Sequence, residues 1–348
     1  MKLCAGYRIS NRVGAAEETM IRKTKRSVLA FLALALATSF AAPVRAQQGL
    51  QPGGGTVRLV LNSAPGSAAD AVARVMVEPL AEILGQPVVV ENVPGGGGVV
   101  GIARAMQSRR DGTTILSAVS GTLIGPMLDR SLPYEIGRDL IPVSQTTAAM
   151  AVFVVRSGLE ATNLRDFVAR AKEGGQPLAF GNYGYGSSSH LQGMLLARET
   201  GLEVEAVPFN GTSQLITEMI GGRLCCAFID VGSARDFIRA GQLRPLGSTG
   251  PRRAPDLPDV PTFTEQGLAN FDPQIWQGMF LPAGTPPSIV EALGRALGEA
   301  TRRPGPAAFI RSIGYEPVGS SPGEFAAMIA HDAPIWRQII DQTGVRIK

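Results

Sequence analysis

Three glycines, Gly96, Gly98 and Gly101, stand at the spacing G-x-G-x-x-G inside VVVENVPGGGGVVGIARAM, residues 88–106. They lie between a β-branched run and a helical pattern. In a dinucleotide-binding turn this spacing opens the first βα unit, lets the backbone approach a pyrophosphate, and precedes by about 20 residues an acid that holds a ribose hydroxyl. Here the motif opens the second unit, and Ser120 and Gly121 stand about 20 residues beyond Gly101. The expectation is a glycine-rich turn that lets the backbone pass close to something, with no cofactor.

A second cluster, Ser187, Ser188 and Ser189 followed by His190, has the residue types of a serine hydrolase. Neighbours at a helix start point in different directions, and no G-x-S-x-G elbow occurs. With only His190 and His331 as imidazoles, an exported α/β hydrolase is the disfavoured reading, and His190 is expected to cap or pack. The same scarcity, without paired ligands at metal spacing, argues against a metal site. Of the cysteines, Cys4 falls in a leader and the adjacent Cys225 and Cys226 are expected as two buried thiols of a strand, since neighbouring cysteines rarely bridge.

Three further turns share one chemistry: NSAPGSAAD (62–70), GNYGYGSSSH (181–190) and FNGTSQ (209–214). Each puts Gly beside Ser or Thr where a helix starts. Such a start leaves backbone N–H groups without partners, a site for an anion that needs no charged side chain. Ordinary N-capping by Ser67, Ser188 or Thr212 is the alternative for any one of them. With the glycine turn there are four, all at carboxyl ends of strands, where open α/β sheets bind ligands.

The elements that must position these turns alternate. β-rich runs at 57–62, 87–92, 113–119, 148–155, 177–181, 204–209, 224–230 and 243–249 are interleaved with helical patterns near 68–84, 99–107, 188–199, 212–220 and 233–240. That alternation predicts parallel-rich sheets flanked by helices. The Pro-rich stretch 249–267 reads as a surface connection. An extended segment at 274–284 and two helices, the last over 321–342, are expected to return to the first domain. The domains are then 56–155 with 272–348, and 156–271.

At the N-terminus Lys23, Lys25 and Arg26 precede the apolar run VLAFLALALA, and VRA leads into Gln47. This predicts a signal peptide over 1–46, cleaved after Ala46, with translation starting at Met1 or Met20 and a linker over 47–55. No cysteine follows the apolar run, so the expected product is unanchored and soluble outside the cytoplasm. Removing the leader leaves 25 basic against 27 acidic residues, with no cationic cluster to attract nucleic acid.

The order VRLVLNSAPGSAADAVARVMVEPLAEILGQPVVVENVPGGGGVVGIARAM, FGNYGYGSSSHL, VPFNGTSQLITEMIGGRL, LPDVPTFTEQGL and WQGMFLPAGTPPSIV resembles, over essentially the whole mature chain, the Bug family of periplasmic substrate-binding proteins of tripartite tricarboxylate transporters. The resemblance implies a two-lobed α/β clamshell, a type II periplasmic binding protein or Venus flytrap. It also implies a monomer that is not an enzyme and that holds a small carboxylate in its cleft for delivery to membrane permease subunits. A sensor feeding a signalling receptor shares this fold. Carried onto this chain, the resemblance makes Asn62, Ser63, Ser67, Ala68 and Asp70 the first-lobe ligand residues. Gly184, Gly186, Ser187, Ser188 and Ser189 face them, with Asn210, Gly211, Thr212 and Asp230 further out. The first loop departs from the family's aromatic and Gly-Gly-Thr or Gly-Gly-Pro run. Asn62 is expected to hydrogen-bond a ligand oxygen there, and Asn210 stands where the family commonly has lysine.

Overall fold

The computed structural model describes residues 54–346 apart from residue 210. The expected leader, its cleavage point and Asn210 therefore lie outside the described residues.

In chain order the elements are β1 (Val57–Leu61), α1 (Ala68–Leu84), β2 (Val88–Asn92), α2 (Val99–Met106), β3 (Thr114–Val119), α3 (Gly121–Leu128), β4 (Leu140–Ala149), β5 (Ala151–Arg156), α4 (Leu164–Gly174), β6 (Leu178–Asn182) and α5 (Ser188–Thr200). There follow β7 (Val204–Pro208), α6 (Thr212–Ile220), β8 (Cys226–Asp230), α7 (Val231–Arg239), β9 (Leu243–Ser248), β10 (Ile275–Pro282), α8 (Pro287–Arg302), α9 (Pro304–Ser312), β11 (Glu316–Pro317) and α10 (Pro322–Thr343).

These strands make two sheets of one plan. The first runs β11-β4-β10-β3-β1-β2 and the second β7-β6-β8-β5-β9. In the first, β1 lies parallel between β2 and β3; in the second, β6 lies parallel between β7 and β8. Each sheet is then continued by one antiparallel strand, β10 beside β3 and β5 beside β8. The chain crosses to the second sheet at Met150, returns after β9, and each crossing delivers that antiparallel strand. This is the two-lobed periplasmic binding protein fold. The expected boundary after Val155 needs correction: β5 pairs with β8 and β9 in the second sheet, so the run read as one strand at 148–155 is divided between lobes.

Alternation along the strands sorts side chains to the two faces of each sheet. Val57, Leu59 and Leu61 pack with Val72, Met76, Leu293 and Leu297 from α1 and α8. Val60 and Leu116 join Ile102, Leu123, Phe325 and Trp336 from α2, α3 and α10 on the other face. In the second lobe Val152 and Val154 meet α6 and α7 through Leu215, Ile216 and Ala234. Phe153 instead joins Phe180, Phe228 and Leu191 in the same cluster as Trp336. That shared cluster exists because α10 packs on β4 in the first lobe and on α5 in the second. Across the same junction Arg198 donates to the Gln342 carbonyl.

The lobes also meet where α7 begins. A Cβ on Gly232 would lie 2.2 Å from the Ile313 carbonyl oxygen and 2.5 Å from the Gly314 Cα. Backbone is packed directly on backbone there, and no rotamer relieves a methyl group. Overpacking at such a contact costs about 1–3 kcal/mol. Gly232→Ala is therefore expected to lower the melting temperature and to enlarge the radius of gyration in solution scattering; an unchanged radius with wild-type stability would contradict this contact.

Candidate functional site

The first strand delivers Asn62 into the turn before α1. Ser67 caps that helix: its hydroxyl accepts from the Asp70 amide at 3.2 Å and donates to Ser63 Oγ at 3.2 Å. The Asp70 carboxylate reaches back to accept the Gly66 amide at 2.9 Å, with Gly66 at φ 79°. It also accepts from Arg74 Nε at 3.0 Å and Asn92 Nδ2 at 3.0 Å. The hydrogen bond from Arg74 is the main cause that holds Asp70 at about 2, against the opposing effect of burial. Asp70 is thus ionised and holds the turn through these three bonds. Ser67 and Asp70 satisfy the Gly66 and Asp70 amides, and the Ala71 amide bonds to the Ser67 carbonyl. The Ala68 and Ala69 amides have no acceptor among the described residues.

Asn62 Nδ2 donates to Thr122 Oγ1 at 3.3 Å, which ties the end of β1 to the start of α3. The glycine motif closes over the same residue. A Cβ on Gly98 would stand 2.7 Å from Asn62 Nδ2, and one on Gly101 would stand 2.8 Å from the Val93 carbonyl oxygen and 3.0 Å from Asn62 Cα. The close approach these glycines permit is therefore to the protein's own first turn. At α3 the Ser120 amide donates to the Trp276 carbonyl at 3.0 Å, while the Gly121 and Thr122 amides have no acceptor among the described residues.

The second lobe repeats the device. Ser187 caps α5 at φ −66° and ψ 160°, close to the −70° and 160° of Ser67, and its hydroxyl accepts from the His190 amide at 3.2 Å. His190 Nδ1 accepts the Gly186 amide at 3.0 Å, as Asp70 accepts that of Gly66. An accepting Nδ1 puts the ring proton on Nε2, and burial pushes the imidazole below its ordinary value, so His190 is neutral. Tyr185, 64% exposed, sets its ring edge-on to His190 with centroids 5.2 Å apart. Ser189 Oγ accepts from the Tyr183 amide at 3.0 Å and lies 3.1 Å from Ser187 Oγ. The amides of Ser188 and Ser189 have no acceptor among the described residues. Asn182 Oδ1 takes the Gly184 amide at 2.9 Å, while its buried Nδ2 has no partner among those residues.

Thr212, at the start of α6 after the extended Gly211, donates to Tyr183 Oη at 3.3 Å and so joins this group. Asp230 is placed differently. It caps α7 by accepting the Ser233 amide at 2.9 Å, directly beneath the crossing, where the Val231 amide bonds to the Met150 carbonyl at 3.0 Å. It is 5% exposed and burial raises its carboxyl; burial, and after it the charge of Asp230, also raises Tyr183 and, in the other lobe, Tyr315. A cavity of about 390 Å³ at the crossing is lined by Met150, Val231, Arg252 and Tyr315, and not by the serine turns.

Of the sequence-derived residues, Ser63, Ser67 and Asp70 form one network and Gly184, Gly186, Ser187, Ser189 and Thr212 another, with no hydrogen bond among the described residues joining the two, while Asn62 bonds to Thr122 and Asp230 caps α7. Sequence reasoning passed over Thr122 and Asn182. SGT (120–122) directly follows a β-run and has the same residue types as the chosen turns, so its signal was present. What was missing was the knowledge that β3 lies next to β1. The serine hydroxyls bond to one another and to backbone, and His190 Nδ1 is occupied by backbone. The arrangement therefore leaves helix-start amides without acceptors among the described residues and holds no activated nucleophile.

Because Asp70 is held near 2, its contribution to stability is complete above its unfolded value of 3.8 and is lost as pH falls toward 2. Asp70→Asn is expected to remove on the order of 1–2 kcal/mol at neutral pH and to flatten the acid limb of stability between those values. A variant whose urea midpoint and acid limb match the wild type would refute this role.

Residues 72–345 match the family described as tripartite tricarboxylate transporter family receptor. The chain is 33% identical over 317 residues to a UPF0065 protein of a Pseudomonas species, covering 91% of this chain and 94% of that one. It is 31% identical over 325 residues to BugT of Bordetella pertussis, covering 92% and 98%. Among solved structures, a Rhodopseudomonas palustris protein with adipate is similar at TM-score 0.73 and 26% identity, covering 84% of this chain and 98% of that one. MatC of the same organism with bound malate is similar at 0.70 and 27%, covering 82% and 98%. The match over most of its length shows that this chain belongs to the tripartite tricarboxylate transporter receptor family, whose members are periplasmic solute-binding proteins and not enzymes.

Proposed function

We propose that the protein captures a small organic acid between its lobes and hands it to permease subunits of a tripartite tricarboxylate-type transporter. The observation that carries this reading is the duplicated helix start, in which Ser67 and Ser187 cap the third amide and leave the first two free. Free amides at a helix N-terminus carry a partial positive charge and point outward, so they suit a carboxylate. α3, on the strand beside β1, adds the Gly121 and Thr122 amides. Asn62, Ser63, Ala68, Ser188 and Gly184 complete the proposed walls, with Gly211 at the rim. Relatives solved with adipate and malate support a dicarboxylate, one carboxylate to each lobe. In this reading the mature chain works as a soluble, unanchored monomer in the periplasm, and closure follows from tighter binding to the closed state.

The test is a melting-temperature screen against malate, adipate, citrate, benzoate and aspartate, followed by calorimetry on the best. A ligand that binds only the folded form adds about 2.7 kcal/mol at one hundred times its Kd, so a true ligand gives a clear upward shift. Thr122→Val, which removes the anchor of Asn62, and Ser187→Ala are each expected to weaken that ligand by about 5- to 30-fold, from one lost hydrogen bond to a charged group or its support. No shift with any acid, or full affinity in both variants, would exclude the reading.

A further inference from the structure

Cys225 and Cys226 are expected from sequence as two buried, unlinked thiols of a strand, because the Cα separation and dihedral of a disulfide are hard to reach across one peptide bond. The structure places them otherwise. Cys225 sits on the bend before β8, not in the strand, and its Sγ lies 3.0 Å from that of Cys226. The backbone that brings them together is fixed on both sides: the Cys225 amide donates to the Ala179 carbonyl at 3.0 Å, and its carbonyl accepts from the Arg156 amide at 3.1 Å. Cys226 is paired with Phe180 in β6 and with Val155 in β5. Cys226 is buried while Cys225 is partly exposed, so one sulfur of the pair is within reach of a reagent and the other waits behind it. Adjacent Cα atoms are about 3.8 Å apart, closer than in most disulfides, so the side chains themselves must turn to one side. Here they have done so, to within about 1 Å of the bonding distance of ~2.05 Å.

We propose that Cys225 and Cys226 are a redox site that closes to a vicinal disulfide, with a disulfide-bearing thiol oxidant as co-reactant. The Cys225 thiolate attacks one sulfur of the oxidant, forming a mixed disulfide and releasing the oxidant's other sulfur as a thiolate. Cys226 then loses its proton and attacks the Cys225 sulfur, which breaks the mixed disulfide and releases the second thiolate. The two cysteines give up two protons and two electrons, and the oxidant is reduced to a dithiol or to two thiols. Attack by Cys226 is intramolecular and needs no approach, which offsets the burial that pushes its thiol up. The ring forms at the head of β8, the middle strand of the second sheet, whose other end bears Asp230 and the contact of Gly232 with Gly314. The site depends on neither the identity of the solute nor its binding.

Oxidised glutathione added to the native, full-length purified protein provides the test, followed by N-ethylmaleimide in denaturant and mass spectrometry of the tryptic peptide 224–235, which holds both cysteines. The expected result is an unalkylated peptide lighter by two hydrogens, from a monomer on a non-reducing gel, that takes two maleimides after dithiothreitol. Cys226→Ala, which keeps the exposed thiol and removes the resolving one, is expected to accumulate a stable glutathione adduct on Cys225. Two maleimides on that peptide of the oxidised wild type, a glutathione adduct that persists on it, or dimers disulfide-linked through it would each overturn the proposal. The wild-type result decides even if the variant does not fold.

Discussion

An α-helix cannot satisfy the N–H groups of its own first turn, and the organisation of both lobes follows from how this chain divides those groups. In G-S-x-x-D at residues 66–70 and G-S-x-x-H at 186–190, the serine hydroxyl takes the third helical amide, and the Asp or His side chain takes the amide of the preceding glycine. Both glycines are left-handed, at φ 79° and 77°, which turns their amides toward the side chain four residues on. The cap therefore stabilises the turn without covering the two amides at its tip. A fully capped helix would be better satisfied and would have nothing left with which to hold an anion.

The two copies solve the same geometric problem with different charges. Asp70 is ionised and balanced by Arg74 and Asn92, which lock the turn to β2. His190 is neutral, buried, and covered by Tyr185. Neither adds net charge to the mouth of its helix, because the arginine offsets the carboxylate and the imidazole carries none. The second acid of the candidate set, Asp230, lies beneath the crossing at Met150, where it caps α7.

Strand exchange explains why the lobes act together. Each sheet is continued by a strand supplied by a crossing, and α10 rests on β4 and α5 at once. The chain joins the lobes at Met150 and along the return segment, and α10 and the contact of Gly232 with Gly314 pack between them. The glycine-rich turn belongs to the same mechanics. By closing over Asn62 it fixes the side chain that joins β1 to α3, so its spacing serves packing within one lobe.

The sequence by itself determined the βα alternation, the strand and helix periods, and the turns with their Gly, Ser and Thr, because these depend on neighbours within a few residues. It also indicated that His190 serves the turn. α3, α4 and α9 were not anticipated; GTLIGPML is apolar on all sides and lacks the amphipathic period, while α4 follows a loop without a clear strand signal. Only the tertiary structure decided that β4 and β5 part at Met150, that Thr122 belongs beside Asn62, that Asp70 is consumed by Arg74 and Asn92, and that two neighbouring thiols share one side. Each of these depends on which strands lie side by side or on a local bend. Partners as far apart as Asn62 and Thr122 are selected by the packing of whole sheets, which no short stretch of sequence encodes.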